Sequence, residues 1–129
     1  MISKFTKKHG NYFYFVFRVM VGLLFFQHGV QKLFGALGGQ QVEIFSLLGL
    51  AGIIEFFGGL MIALGLLTRY AALFGIFDML GAWFIAHAPQ GWIPILNQGE
   101  LALLYLASFL IIIVYGARKW GIDNLLNKN

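Results

Sequence analysis

The chain has 129 residues, with nine lysines and arginines against five aspartates and glutamates, and no cysteine. Only 11% is charged and 60% is hydrophobic, too little polarity to cover a soluble domain of this size. This composition predicts one integral membrane domain over residues 1–129, and it excludes disulfides and thiolate metal sites within the chain. Nor is a nucleic-acid partner expected, because the basic residues sit at the ends of apolar runs without interleaved stacking aromatics.

The basic opening MISKFTKKHG leads into an apolar run of roughly 20 residues with no small-residue cleavage site, so a retained first span is expected. That span is placed at Tyr12–Phe34. The second is placed at Leu47–Leu67, the third at Tyr70–Ala88 and the fourth at Gly99–Gly116. The second and third are separated only by Thr68 and Arg69. A single helix would overshoot a bilayer about 30 Å thick and bury Arg69 at its centre, so a tight hairpin is expected there.

Lys4, Lys7, Lys8, Arg69, Arg118, Lys119 and Lys128 then fall on one side, with Lys32 alone on the other. The positive-inside rule puts both termini in the cytoplasm. The outer connections are GALGGQQVEIFS and PQGWIPILNQ, and the second suits an irregular segment at headgroup level. The predicted fold is all-α: an integral membrane four-helix bundle, N-in/C-in.

Polar residues inside the spans carry the functional expectation. Arg18, Gly22, Phe25, Gly29 and Lys32 share one stripe of the first helix, with His28 at its border. In LAGIIEFFGGL, Glu55 is flanked by Gly52, Gly58 and Gly59, which would bring a neighbouring helix close. Counted inward from the outer ends, His28 lies roughly 9 Å deep and Glu55 roughly 12 Å deep. Arg18 and Asp78 lie roughly 9 and 12 Å from the inner face. Two layers are predicted. The outer one contains His28, Lys32, Glu55 and Glu100, with His87 beside them, and Glu55 is paired with Lys32 or hydrogen-bonded to His28. The inner one pairs Arg18 with Asp78. Structural readings stand alongside: Arg18 can snorkel to the headgroups, Glu55 and Asp78 can serve as interhelical contacts, and His28 can be a packing histidine. His9, His28 and His87 do not have a metal-ligand spacing, so no metal is expected.

The order R-x3-G-x6-G-x2-K-x2-G, from Arg18 to Gly35, is followed by E-x2-GG-x5-G-x2-T-R, from Glu55 to Arg69, and by GIDNLL with Asp123. This arrangement resembles the DoxX family of small bacterial membrane proteins, over about Arg18 to Leu126. The tail GARKWGID departs from the family's Gly-Pro-Gly pattern. The family's recurring positions match Arg18, Gly29, Lys32, Glu55 and Asp123. The resemblance implies a multi-pass inner-membrane protein associated with oxidoreductases. On that reading the outer layer would bind a quinone headgroup, Glu55 or His28 would exchange protons, and Lys32 would stabilise a reduced anion. Electrons would come from a redox or membrane-protein partner. The alternatives are a non-enzymatic scaffold supporting the envelope, and a small-solute carrier acting as a homo-oligomer.

Overall fold

The computed structural model describes residues 1–127; Lys128, counted above among the inner cations, lies outside them. The described residues are helical, without strands, and three helices are long and apolar enough to cross a membrane.

The first helix, α1, covers Ile2–Phe34. Its 33 residues give about 50 Å, well beyond the about 30 Å of hydrocarbon. The helix therefore starts ten residues earlier than the apolar run, because nothing in ISKFTKKHGN breaks it. Gly35 ends it in a left-handed conformation (φ 66°) and donates its N–H to the carbonyl of Gln31 at 2.9 Å.

Ser46 opens α2 (Leu47–Leu64), its hydroxyl accepting the N–H of Gly49 at 3.0 Å. A π-helical turn, Ile54–Gly58, interrupts α2 at its middle. Gly65, with φ 67°, terminates it. The hairpin then lies over Gly65–Leu67, and Thr68 and Arg69 are the first residues of the next helix rather than the turn itself. Leu67 also has positive φ, 45°, a conformation unfavourable for a branched side chain.

The third helix, α3 (Thr68–Gln90), has a second π turn at Ala82–His87 and closes in a short 3-10 turn containing Pro89. The single turn α4 (Pro94–Asn97) precedes α5 (Glu100–Tyr115). At 16 residues α5 is about 24 Å long, the shortest of the apolar helices. A last turn, α6 (Ile122–Leu126), folds back under the bundle.

α1 packs along α2, and α3 packs along α5. Phe25, Ile62, Ala72, Phe109 and Ile112 are fully buried where the pairs meet, and Phe25 and Phe109 touch edge to face at 4.7 Å. Leu23, Leu24, Phe57, Phe74, Phe77 and Val114 point outward and are exposed, as suits a lipid-facing surface. The α1–α2 approach depends on glycine. A Cβ on Gly22 would strike the backbone of Ala63, one on Gly59 the backbone of Gly22 and Phe26, and one on Gly29 the backbone of Phe56. Between helices in lipid, this close packing supplies what hydrophobic burial cannot. Gly58 makes only ordinary contacts, so Gly52 and Gly59, not Gly58, bring α1 close to Glu55.

Gly29→Leu should therefore lower stability by about 1–3 kcal/mol, the usual cost of overpacking. Gly10→Leu, where nothing lies within 4 Å of the added carbon, should not lower it. Unfolding of the detergent-solubilised protein measures both, and similar behaviour of the two variants would contradict the packing described.

Candidate functional site

One end of the bundle carries the long connections at residues 35–46 and 91–99; the other carries the α2–α3 hairpin and the tail. The polar residues divide between these ends.

At the loop end, Lys32 reaches from the last turn of α1 to α2. Its Nζ donates to both carboxylate oxygens of Glu55, at 2.9 and 2.7 Å. Glu55 is only 4% exposed. The pair exists because Gly52 lets the stem of Lys32 lie directly against α2. Glu55 sits in the π turn, where the extra residue re-aims its side chain relative to a regular helix. Asp78 of α3 lies near the pair, close enough to feel the charges of both Glu55 and Lys32. Its Oδ2 is buried and has no protein donor. Two carboxyl groups so close need a proton between them or a cation beside them.

A cavity of about 230 Å³ opens beside this chain of charges. Phe25, Met79, Leu101 and Ala102 supply apolar walls. His28, Lys32, Glu55, His87, Gln98 and Tyr105 supply polar groups. His28 stands edge-on to the Tyr105 ring at 5.9 Å. His87 comes from the second π turn, and its Nδ1 lies 3.0 Å from the carbonyl of Asn97. A carbonyl only accepts, so Nδ1 carries the proton and Nε2 of the neutral ring is an acceptor. Buried Asn97 fixes the loop above: its Nδ2 donates to Gly91 O at 2.7 Å and its Oδ1 accepts from Gly99 N at 2.8 Å. Both π turns thus deliver a side chain to one cavity.

His28, Lys32, Glu55 and His87 are therefore brought together. Glu100 is not: it is exposed in the first turn of α5 and does not line the cavity. Gln98 takes that position instead, because α5 starts only after the Asn97 turn. Tyr105 and Asn97 were not anticipated. Tyr105 could have been, as the polar-tipped member of the buried face Ala102, Tyr105, Phe109, Ile112. Asn97 sits in an irregular loop and had no periodicity to reveal it. No group of three histidine or acidic side chains able to hold a metal occurs among the described residues.

The expected pairing of Arg18 with Asp78 is not formed. The estimated depths left only about 6 Å along the bilayer normal between Asp78 and Glu55, within reach of two side chains. Asp78 therefore joins the loop-end cluster. Arg18, fully buried, turns to the other end. Its Nη1 donates to the carbonyls of Ala117 and Lys119, and its Nη2 to Trp120 O at 3.2 Å and Ala63 O at 3.4 Å. It ties α1, the last turn of α2 and the tail into one knot, satisfying carbonyls that helix ends and turns leave open. Asp123 does the converse. Its Oδ1 accepts from Leu67 N at 2.6 Å, and its Oδ2 from Thr68 N at 3.0 Å and Thr68 Oγ1 at 2.8 Å. It caps α3 from 55 residues away in sequence.

The DoxX family model matches residues 13–88. An uncharacterized protein of Haemophilus influenzae is 37% identical over 125 residues, covering 92% of this chain and 93% of its own length. "Inner membrane protein YqjF" of Escherichia coli is 34% identical over 120 residues, with 88% and 91% covered. "Putative oxidoreductase CatD" of Bacillus subtilis is 26% identical over 118 residues, with 86% and 84% covered. No solved structure matches the chain. With three apolar helices of spanning length, these likenesses make it a multi-pass protein of the bacterial inner membrane.

If Asp123 holds the tail, Asp123→Ala should release it at a cost of about 1 kcal/mol or more. A single thiol introduced by Ala117→Cys, buried in the parent, should then react faster with a maleimide. Equal labelling rates with and without Asp123 would rule out the cap as the tether.

Proposed function

Because this chain belongs to the DoxX family of membrane proteins, we propose that it is a four-span inner-membrane subunit, N-in/C-in, whose loop-end cavity binds a quinone headgroup and exchanges protons with it. The supporting observation is the Lys32–Glu55 ion pair in the lining of a cavity with apolar walls and two histidines, with Asp78 near Glu55. A quinone needs such a mixture. Its ring stacks on apolar and aromatic surface, its oxygens take hydrogen bonds, and its reduction consumes protons. In this reading Lys32 stabilises negative charge on a ring oxygen. His28 or Glu55 passes the proton, and Asp78 resupplies Glu55. In this reading the electrons come from a partner oxidoreductase, as the chain has no thiol redox chemistry of its own. The printed name of the Bacillus subtilis relative agrees with this class of role.

The fourth span in this reading is α5, tilted less than its longer neighbours. The cation asymmetry supports the orientation: Lys4, Lys7, Lys8, Arg69, Arg118 and Lys119 against Lys32. All residues of the chain then form one membrane domain.

Two measurements test the proposal. A short-chain quinone should raise the unfolding temperature of the purified protein. Glu55→Gln should weaken that binding about ten-fold or more, by loss of a charged partner. Glu43→Gln, in the connection before α2, should not. Absence of quinone binding at saturating concentration would remove the redox reading and leave a scaffold role. For topology, Gly38→Cys and Gln90→Cys should label from the periplasm in intact cells, whereas Lys7→Cys should label only after permeabilisation. The reverse pattern would invert the orientation without touching the cavity.

A further inference from the structure

A second cavity, about 470 Å³, opens at the opposite end, between the start of α3 and the connection from α5 to α6. We propose that it holds a phosphate-bearing anion, the headgroup of an anionic phospholipid, clamped between Arg69 and Arg118. This proposal is independent of any role for the Glu55 cavity.

Both guanidinium groups line this space and neither has a carboxylate partner; Lys32–Glu55 is the only ion pair among the described residues. Arg69 spends one donor, Nη2, on Val114 O at 3.1 Å, and lies against Gly116, where a side chain would crowd it. Its remaining N–H groups carry no recorded acceptor among the described residues. Arg118 makes no hydrogen bond there. It is held instead over two aromatic rings, Tyr115 at 5.1 Å and Tyr14 at 5.9 Å. The one acid lining the cavity, Asp123, is already engaged by three donors from Leu67 and Thr68. Two cations thus face the space against one occupied carboxylate.

The backbone is arranged to present them. Arg118 has φ 51° and Trp120 φ 61°, both in the left-handed region that non-glycine residues avoid. Arg18 fixes this strained segment through the carbonyls of Ala117, Lys119 and Trp120. A relaxed connection would let the Arg118 side chain move off into water.

Guanidinium is the side chain whose planar fork matches two phosphate oxygens. The rim favours a lipid over a soluble phosphate. Leu67, Tyr70 and Leu126 line the same space and are 51%, 66% and 63% exposed. Acyl chains gain from that apolar edge, whereas inorganic phosphate does not. Basic pockets between membrane helices at the headgroup layer recognise anionic lipids in this way.

The test uses the full-length protein in neutral detergent, titrated with phosphatidylglycerol, phosphatidylcholine or inorganic phosphate, with unfolding temperature and native mass spectrometry as readouts. Phosphatidylglycerol should bind about ten-fold more tightly than phosphatidylcholine, and inorganic phosphate should give no shift. Arg118→Gln should weaken phosphatidylglycerol about five-fold. It should change the unliganded unfolding temperature only slightly, since Arg118 is exposed, makes no side-chain hydrogen bond among the described residues and meets Tyr14 and Tyr115 through cation–π contacts alone. Arg69→Gln with Arg118→Gln should erase the preference, whereas Lys7→Gln with Lys8→Gln, on the exposed start of α1, should preserve it. Equal binding of the two lipids, a preference surviving the double arginine change, or its loss in the lysine variant would overturn the site. Protection by inorganic phosphate alone would overturn the lipid assignment.

Discussion

A carboxylate in hydrocarbon needs a counter-charge, and here Glu55 has only Lys32 to supply it directly. Much of the architecture follows from that requirement. For the ammonium to reach the carboxylate, α1 and α2 must approach almost backbone to backbone. Gly22, Gly29, Gly52 and Gly59 are the residues at which any side chain would prevent it. The π turn in α2 then sets the direction of Glu55 toward both α1 and α3. With Lys32 bonded to it and Asp78 near it, the charged cluster draws on three helices. The cavity is the space left beside it, where the second π turn widens α3.

The opposite end is built on the same physics with the roles exchanged. There the ionic side chains serve the backbone. Arg18 donates to carbonyls of α2 and of the tail, and Asp123 accepts the N–H groups that open α3. Each satisfies groups that helix ends cannot satisfy themselves. These ionic and glycine residues thus divide by physical task. Arg18, Gly29 and Asp123 hold helices and tail in register, while Lys32 and Glu55 meet at the cavity.

The reach of sequence reasoning differed from element to element. The three longer apolar helices and the polar stripe on α1 were readable, because hydropathy and a 100° period report burial directly. Helix ends were less so. α1 starts at Ile2 because lysines are good helix formers, although they are poor residues for a lipid core. The hairpin moved to Gly65–Leu67 because left-handed glycine and a distant aspartate, not the arginine, decide where α2 stops. Glu100 looked like a member of the loop-end cluster by depth alone. Its azimuth on α5 turns it outward, and depth contains no azimuth.

Composition and periodicity by themselves determined that this chain is helical and membrane-embedded and that a few ionic groups must turn inward, since lipid offers them no partner. Which groups meet was decided only by the packed structure. Side-chain pairing depends on helix rotation, on single residues inserted as π turns and on a tail that returns from the far end of the chain. None of these leaves a local signature. Arg18 and Asp78, neighbours on a depth scale, are separated by that rotation; Glu55 and Asp78, both carboxyl groups, are brought together by it.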